Sequence, residues 1–509
     1  MFAQALATMF TPEVLIALLI GTVGGMIIGA LPGLSATMAV ALLIPVTYNM
    51  STAAGLTMLT AVYTSAIYGG SITASLLHVP GTPSSAATAA DGYSLTKRGL
   101  GLKAIGTSTI CSMIGGTISA IALLLIAPPL SRIALKFSSM EYFWLGVFGL
   151  TIISSVAGDN VVKGLMSGCV GIFAGIIGID MFNGMPRFTF GNINMEAGIQ
   201  LVPAMIGLFS ISQVMISIED IIKGKNRILD DDAKNLTGSM LLSRKELKML
   251  SPTIIASTII GILIGILPGA GGDIGSWVSY NFAKKRSKHP EEFGHGSLEG
   301  IAASETANNA VTGGALIPML TLGIPGSGVT AILMGGLMLK GLNPGYKLFT
   351  DYGNITYAVI LGFLLANILM GVLGLLISKQ IVKISVVPMQ ILCPIILALS
   401  IIGSYAIRRS NFDVVVCLVF GILGYVMRKF RYATAPVVLG MILGPIAETN
   451  FRQVLVISRG SFFGYMGTRP IAIVLALMTV FALFYPLVIA KFNNKARAGH
   501  ETQTEETED

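Results

Sequence analysis

The chain has 509 residues, 53% of them hydrophobic and only 11% charged, with a mean hydropathy of +0.78. Soluble domains carry about 25% charged residues, so this composition excludes an ordinary soluble domain and indicates an all-α polytopic membrane protein. The net charge of +8 sits in short basic clusters between apolar runs, which read as cytoplasmic loops rather than as a nucleic-acid surface.

The amino terminus has no basic segment and no small-residue cleavage site, so no removable signal peptide is expected. The first apolar run, Val14 to Ile28, reads as a membrane helix. A spanning helix needs about 20 mostly apolar residues. By that measure, spans in the first half are expected near 13–31, 35–49, 53–72, 104–128, 141–157, 161–181 and 197–218. The segment 73–92 is too polar and broken to face lipid, and reads as a re-entrant hairpin or an unwound stretch. The first transmembrane repeat is therefore placed at 1–218. A charged linker follows at 219–250, and its basic excess puts it in the cytoplasm. In the second half, 251–450, spans are expected near 251–268, 270–283, 299–322, 328–340, 353–378, 385–406, 412–427 and 432–448, some of them half-spans. Residues 451–490 hold an extra carboxy-terminal helix, about 470–490, and 491–509 read as a solvated, disordered tail. Cys111, Cys169, Cys393 and Cys417 all lie in apolar runs without a C-x-x-C spacing. They read as packing residues, not as a disulfide framework or a metal site.

The two halves read alike. Gly29-Ala30-Leu31-Pro32-Gly33 is answered by Gly265-Ile266-Leu267-Pro268-Gly269. Gly69-Gly70 followed by Pro80-Gly81-Thr82 is answered by Gly313-Gly314 followed by Pro325-Gly326-Ser327. Leu201 to Gly207 is answered more weakly by Ala435 to Gly440. The uncharged loop Tyr48 to Gly55 corresponds to the basic loop Lys284 to His289. Opposite charge bias in matching loops indicates inverted repeats. Gly/Pro-broken helices at matching places in two halves point to a transporter's binding site.

Three segments in each half are suited to that role. Pro fits the first helical turn, and the residues after it begin a helix with free N–H groups. Such a helix start attracts anions. Pro80, Gly81, Thr82 and Ser84 form one such tip; Pro325, Gly326 and Ser327 form the other. The competing reading is a pair of kinks with small-residue helix contacts. Asn308 and Asn309 lie in an apolar run and need partners, because unpaired amides in hydrocarbon are costly. They are expected to orient substrate or complete a cation site, unless they serve as interhelical glue. Gly33, Ser35, Gly269 and Asp273 mark the third pair, where unwound carbonyls and one carboxylate suit a coupling ion. Na⁺ is the only metal this site suggests, and no cofactor is expected beyond coupling Na⁺ or H⁺. Asp273 could instead cap its own helix.

Other residues are less telling. His78 either meets a substrate carboxylate or is a buried, satisfied histidine. Asp91 reads as a turn or cap, Asp159-Asn160 as a loop and Asp180 as a helix end. Arg408-Arg409 and Arg428 to Arg431 read as topology anchors. An intramembrane aspartyl protease is disfavoured because Ala270 stands three residues before Asp273, where the G-x-G-D motif needs Gly, and no convincing second intramembrane aspartate accompanies it. A passive anion channel remains the alternative, and the phosphate-binding loop of ATP-driven pumps is absent from the sequence.

The strings Tyr68-Gly69-Gly70-Ser71-Ile72, Pro80-Gly81-Thr82-Pro83, Asp91-Gly92-Tyr93, Leu267-Pro268-Gly269-Ala270-Gly271, Lys288-His289-Pro290-Glu291, Ala307-Asn308-Asn309-Ala310 and Gly323-Ile324-Pro325-Gly326-Ser327 together resemble the large membrane subunit of tripartite tricarboxylate transporters. The resemblance covers nearly the whole chain up to about residue 490. It implies a multi-pass protein of the bacterial inner membrane that imports a di- or tricarboxylate such as citrate, driven by an ion gradient. It also implies two partners, a small four-helix membrane subunit and a periplasmic solute-binding protein. Three positions depart from the family pattern. His78-Val79 replace Asn-Thr, Gly272-Asp273 replace Ala-Thr, and Ser304-Glu305 replace Pro-Glu.

Overall fold

The computed structural model describes residues 2–31, 33–151, 161–224, 239–267, 271–384 and 387–481. In chain order the helices are α1 (Phe2–Met9), α2 (Pro12–Ala30), α3 (Ala36–Thr47), α4 (Thr52–Leu77), α5 (Ala86–Lys97), α6 (Gly101–Ala134), α7 (Ser139–Thr151) and α8 (Val161–Gly175). A short hairpin of β1 (Gly178–Ile179) and β2 (Pro186–Arg187) follows, then α9 (Ile193–Glu196) and α10 (Leu201–Ile222), which contains a π turn at Gly207–Ile211. Next come α11 (Arg244–Ile266), α12 (Gly271–Arg286), α13 (Leu298–Leu322), α14 (Gly328–Leu339), α15 (Tyr346–Thr350) and α16 (Gly353–Ile384). The last are α17 (Met389–Arg408), α18 (Asn411–Lys429), α19 (Ala435–Ile457), α20 (Phe462–Gly467) and α21 (Pro470–Phe481). Asp159, Asn160, Pro32, Pro268, Gly269, Ala270 and the tail 491–509 lie outside the described residues.

Among the described residues seven helices, α2, α6, α10, α11, α16, α17 and α18, are long and apolar enough to cross a membrane. This is an all-α multi-pass membrane protein. At 26 and 25 residues, α4 and α13 have the length to span but are too rich in Ser, Thr and Asn to face lipid. They are buried along nearly their whole length, at the centre of the bundle. The spans expected near 35–49, 270–283 and 328–340 are helices of 12, 16 and 12 residues. At 1.5 Å per residue they reach only about 18–24 Å, short of the ~30 Å hydrocarbon core. The segment 73–92 stays helical through Leu77, breaks over 78–85, and resumes as α5. The helix expected over 161–181 ends at Gly175. Asp180 consequently lies in the hairpin and not at a helix end; it is pinned by Arg452 at 2.7 Å.

Glycine stripes set the central packing. Gly21, Gly25 and Gly29 of α2 face Met58, Val62 and Ala66 of α4, so closely that a Cβ would come within 2.1–2.7 Å of the facing carbonyl oxygens. The positions rise together, so α2 and α4 run in the same direction. Gly261 and Gly265 of α11 face Ala307 and Val311 of α13 in the same way, at 2.6 Å. Small residues every fourth position let two backbones approach and replace the hydrophobic drive that lipid cannot supply.

Helix directions follow from the remaining contacts. The α16 helix runs along α4, with Gly362 at Thr57, Asn367 at Thr64 and Gly374 at Tyr68. It runs against α6, with Asn367 at Gly116, Gly371 at Met113 and Gly374 at Thr109. In turn α6 runs along α13, with Gly115 at Thr306 and Ser119 at Gly313. The chain therefore passes through α4 and α13 in opposite directions.

Candidate functional site

Each central helix ends in a left-handed residue, His78 (φ 53°) after α4 and Gly323 (φ 71°) after α13. The chain then doubles back and starts a short helix. Gly81 donates its N–H to Gly70 O at 3.2 Å, and a Cβ on Gly81 would lie 2.3 Å from Gly29 O and 2.7 Å from Gly70 Cα. Gly326 is set against the matching elements, with Gly265 O at 2.8 Å and Ala315 Cβ at 2.9 Å from its would-be Cβ. Pro80-Gly81 and Pro325-Gly326 thus turn inside the protein, where only glycine lets the returning backbone lie on the glycine stripe.

Past the turns, hydroxyls organise the helix starts. Ser85 Oγ donates to Thr82 O (2.8 Å), and Thr82 Oγ1 lies 3.1 Å from Ser84 Oγ. Ser327 and Thr330 form a reciprocal cap: Ser327 N–H donates to Thr330 Oγ1 (2.8 Å) and Thr330 N–H to Ser327 Oγ (3.3 Å). Such caps satisfy the first free N–H groups of a helix.

The first tip meets the second half of the chain. Ser276 on α12 donates its hydroxyl to Ser84 O at 2.7 Å. Asn308 Oδ1 and the Ser84 side chain both crowd Gly272, at 2.8 and 3.2 Å from the position of a Cβ there. Ser84, Asn308 and the N-terminal turn of α12 therefore form one junction. Asn308 is fully buried, yet neither of its amide atoms has a partner among the described residues. Among the described residues Asn309 donates only to Met370 Sδ (3.6 Å), and its Oδ1 has no partner. The second tip meets the first half: the buried Tyr63 hydroxyl lies beside Ser327, within electrostatic range of Asp273.

The ion residues proposed from the sequence are spread out. Asp273 is exposed, and its carboxylate takes its own backbone N–H, as a helix-start carboxylate does. Ser35 caps α3 by accepting from Met38 N–H at 3.2 Å. Gly33 (φ 89°) lies against Gln213, whose side-chain oxygen accepts from Arg428 at 2.5 Å. Gly269 lies outside the described residues.

Several residues have roles that the sequence did not indicate. His78 is exposed, so it is not a buried histidine; its ring lies tilted against Tyr93 with centroids 4.7 Å apart, and its left-handed backbone matches that of Gly323. Asp91 is neither turn nor terminal cap. Buried within α5, it accepts from the N–H groups of Gly294, Gly296 and Ser297 at 2.8–2.9 Å and from Tyr280 Oη at 2.9 Å, tying α5 to the loop before α13. Arg408 pairs with the buried Asp413. Cys169 is exposed, whereas the other three cysteines are buried. Glu305, which the sequence set apart only through the Ser304 before it, is fully buried and takes hydroxyls from Ser71 (2.6 Å), Thr88, Ser108 (3.1 Å) and Ser112 (2.9 Å). Its sequence signal is a lone carboxylate in an apolar stretch.

Comparison with known proteins adds the family context. The family model described as Tripartite tricarboxylate transporter TctA family matches residues 15–439. The chain is 36% identical over 468 residues to an uncharacterized 52.8 kDa protein in the TAR-I ttuC' 3' region of Agrobacterium vitis, covering 91% of each chain. It is 38% identical over 234 residues to an uncharacterized protein in the TAR-II ttuC' 3' region of the same organism, covering 45% of this chain and 96% of that one. No solved structure matches.

Proposed function

This chain belongs to the tripartite tricarboxylate transporter TctA family, and from that premise we propose that it imports a di- or tricarboxylate by alternating access, driven by an ion gradient. The family is one of transporters, which supports reading this chain as a transporter component rather than an enzyme. A periplasmic solute-binding protein would deliver the substrate and a small four-helix membrane subunit would complete the complex in the bacterial inner membrane. The two halves act as inverted repeats in this reading, supported by the opposite directions of α4 and α13 and by their matching Pro-Gly turns. Carboxylate oxygens would be held by Gly81, Thr82 and Ser84 at one tip and by Gly326 and Ser327 at the other, each tip being a helix start that attracts negative charge.

The observation that carries the site is Asn308. A buried amide with both polar atoms unsatisfied is costly, and this one stands where the first tip meets the start of α12. A ligand with oxygens to share would relieve that cost. The test is uptake of labelled citrate and related carboxylates into liposomes holding the complete complex. Uptake should require a Na⁺ or H⁺ gradient and fall at least tenfold in Asn308→Ala. Uptake that survives collapse of both gradients would defeat active transport, and an Asn308→Ala variant with wild-type uptake would remove this site.

A further inference from the structure

Glu305 is a charge without a counter-charge. It is fully buried in α13, and no Lys, Arg or His pairs with it among the described residues. Its titratable neighbours are Tyr68 on α4 and Cys111 on α6, neither of them a cation. Around it are hydroxyls from three other helices. Ser71 of α4 and Thr88 of α5 donate to Oε1, and Ser108 and Ser112 of α6 donate to Oε2. Ser304 stands behind them, its hydroxyl 2.8 Å from that of Thr88.

Four donors occupy the four lone-pair sites of an ionised carboxylate. With all four hydroxyls donating, the surroundings suit the charged form; a hydroxyl that turns a lone pair inward suits a bound cation or a proton on the carboxyl. A buried charge in a membrane protein is costly unless it is paired. Hydroxyls supply dipoles but no charge. Each can also rotate and turn a lone pair inward, and then the two carboxylate oxygens and four hydroxyl oxygens make an all-oxygen cage, the ligand type hard cations prefer. One carboxylate neutralises one monovalent cation; a divalent ion would leave a buried positive charge.

We propose that this cage, assembled from α4, α5, α6 and α13 around Glu305, is the binding site of the coupling ion, and that the ion is Na⁺. The proposal rests on the transport reading above and identifies the ion's position within it. Glu305, Asn308 and Asn309 stand at i, i+3 and i+4, on one face of α13. Thr88 belongs to α5, the helix that begins just after the first tip. Na⁺ in the cage ties α5 to α13 and holds Ser84 and Asn308 together at Gly272; its loss frees the tip. Ion and substrate thereby stabilise one arrangement of the same two helices, which makes their binding mutually favourable.

The test uses the purified full-length chain with Na⁺ alone, compared with K⁺ at equal ionic strength, and reads thermal stability against ion concentration. Na⁺ should raise the melting temperature in a saturable way, as a ligand that binds only the folded state does. Glu305→Gln should abolish the difference between Na⁺ and K⁺. Ser108→Ala, a smaller change that keeps the carboxylate, should raise the half-saturating Na⁺ concentration about tenfold, and it carries the test if Glu305→Gln does not fold. A wild-type chain indifferent to Na⁺ overturns the proposal, as does wild-type half-saturation in either variant. Because this assay contains no carboxylate substrate, intact Na⁺ binding in a chain that fails to take up carboxylates would support the cage and defeat the transport reading instead.

Discussion

Replacing Gly81 with alanine probes the geometry of the first tip directly. The new Cβ would stand 2.3 Å from Gly29 O and 2.7 Å from Gly70 Cα, both backbone atoms in central helices. Separations under 3.0 Å are essentially never seen for a real Cβ, so the tip must withdraw by about 0.7 Å or the helices must part. Overpacking of this kind costs roughly 1–3 kcal/mol, and the upper end is expected because no flexible side chain can yield. Displacing binding groups by about 1 Å can cost ~10²-fold in rate. Gly81→Ala should therefore lower the melting temperature and cut carboxylate uptake by about that factor. Gly326→Ala meets its neighbours at 2.8–2.9 Å and should lose less, about tenfold. Gly24→Ala is the control: it lies on α2 between the stripe positions with nothing within 4 Å of its Cβ, and removing a helical glycine should stabilise by about 0.5–1 kcal/mol. Thermal melts and proteoliposome uptake of the three variants decide the matter. Wild-type stability and uptake in Gly81→Ala would refute the close-packed turn.

Three further outcomes follow from the same geometry. Asn308→Ala removes an amide that bonds to nothing described, so its melting temperature should hold while uptake falls; a large loss of stability with intact uptake would mark Asn308 as structural glue. Asp91→Ala strands three backbone N–H groups and the Tyr280 hydroxyl, and should destabilise by about 2–4 kcal/mol, read as a lower melting temperature with increased proteolysis at residues 294–297. Arg452, hydrogen-bonded to Asp180, holds that carboxyl below its usual 3.8. A depressed carboxyl stabilises above its unfolded pKa and loses that contribution as pH falls through the folded value. Hydrogen-exchange protection of the 178–187 hairpin should thus be unchanged from pH 7 to about 4 and fade only in stronger acid; fading at pH 6 would show that another group controls it.

Much of this protein can be read without coordinates, because hydrocarbon imposes strong rules on sequence. The broken segments, the paired Pro-Gly turns and the membrane class are written in hydropathy and in Gly/Pro placement, which are local properties. Span lengths were less legible. A 12-residue apolar stretch such as Ala36–Thr47 looks like a trimmed span until its length in three dimensions shows that it must turn back. The spans expected near 53–72 and 299–322 are the helices α4 and α13, but their polar composition does not say that they stand at the centre, since only enclosure by other helices makes that polarity tolerable.

The site divides the same way. Gly81, Ser84, Asn308 and Ser327 could be proposed from sequence because helix starts and buried amides carry a chemical signature of their own. The sequence by itself determined which residues have that chemistry. Only the tertiary structure decided which of them meet. It brought Ser84 and Asn308 from the two halves to Gly272, left Asp273 exposed on its own helix start, made Asp91 a clasp between α5 and the loop before α13, and drew hydroxyls from α4, α5 and α6 around Glu305. A carboxylate's partners are set by helices that cross it from distant parts of the chain, and no local pattern encodes where they cross.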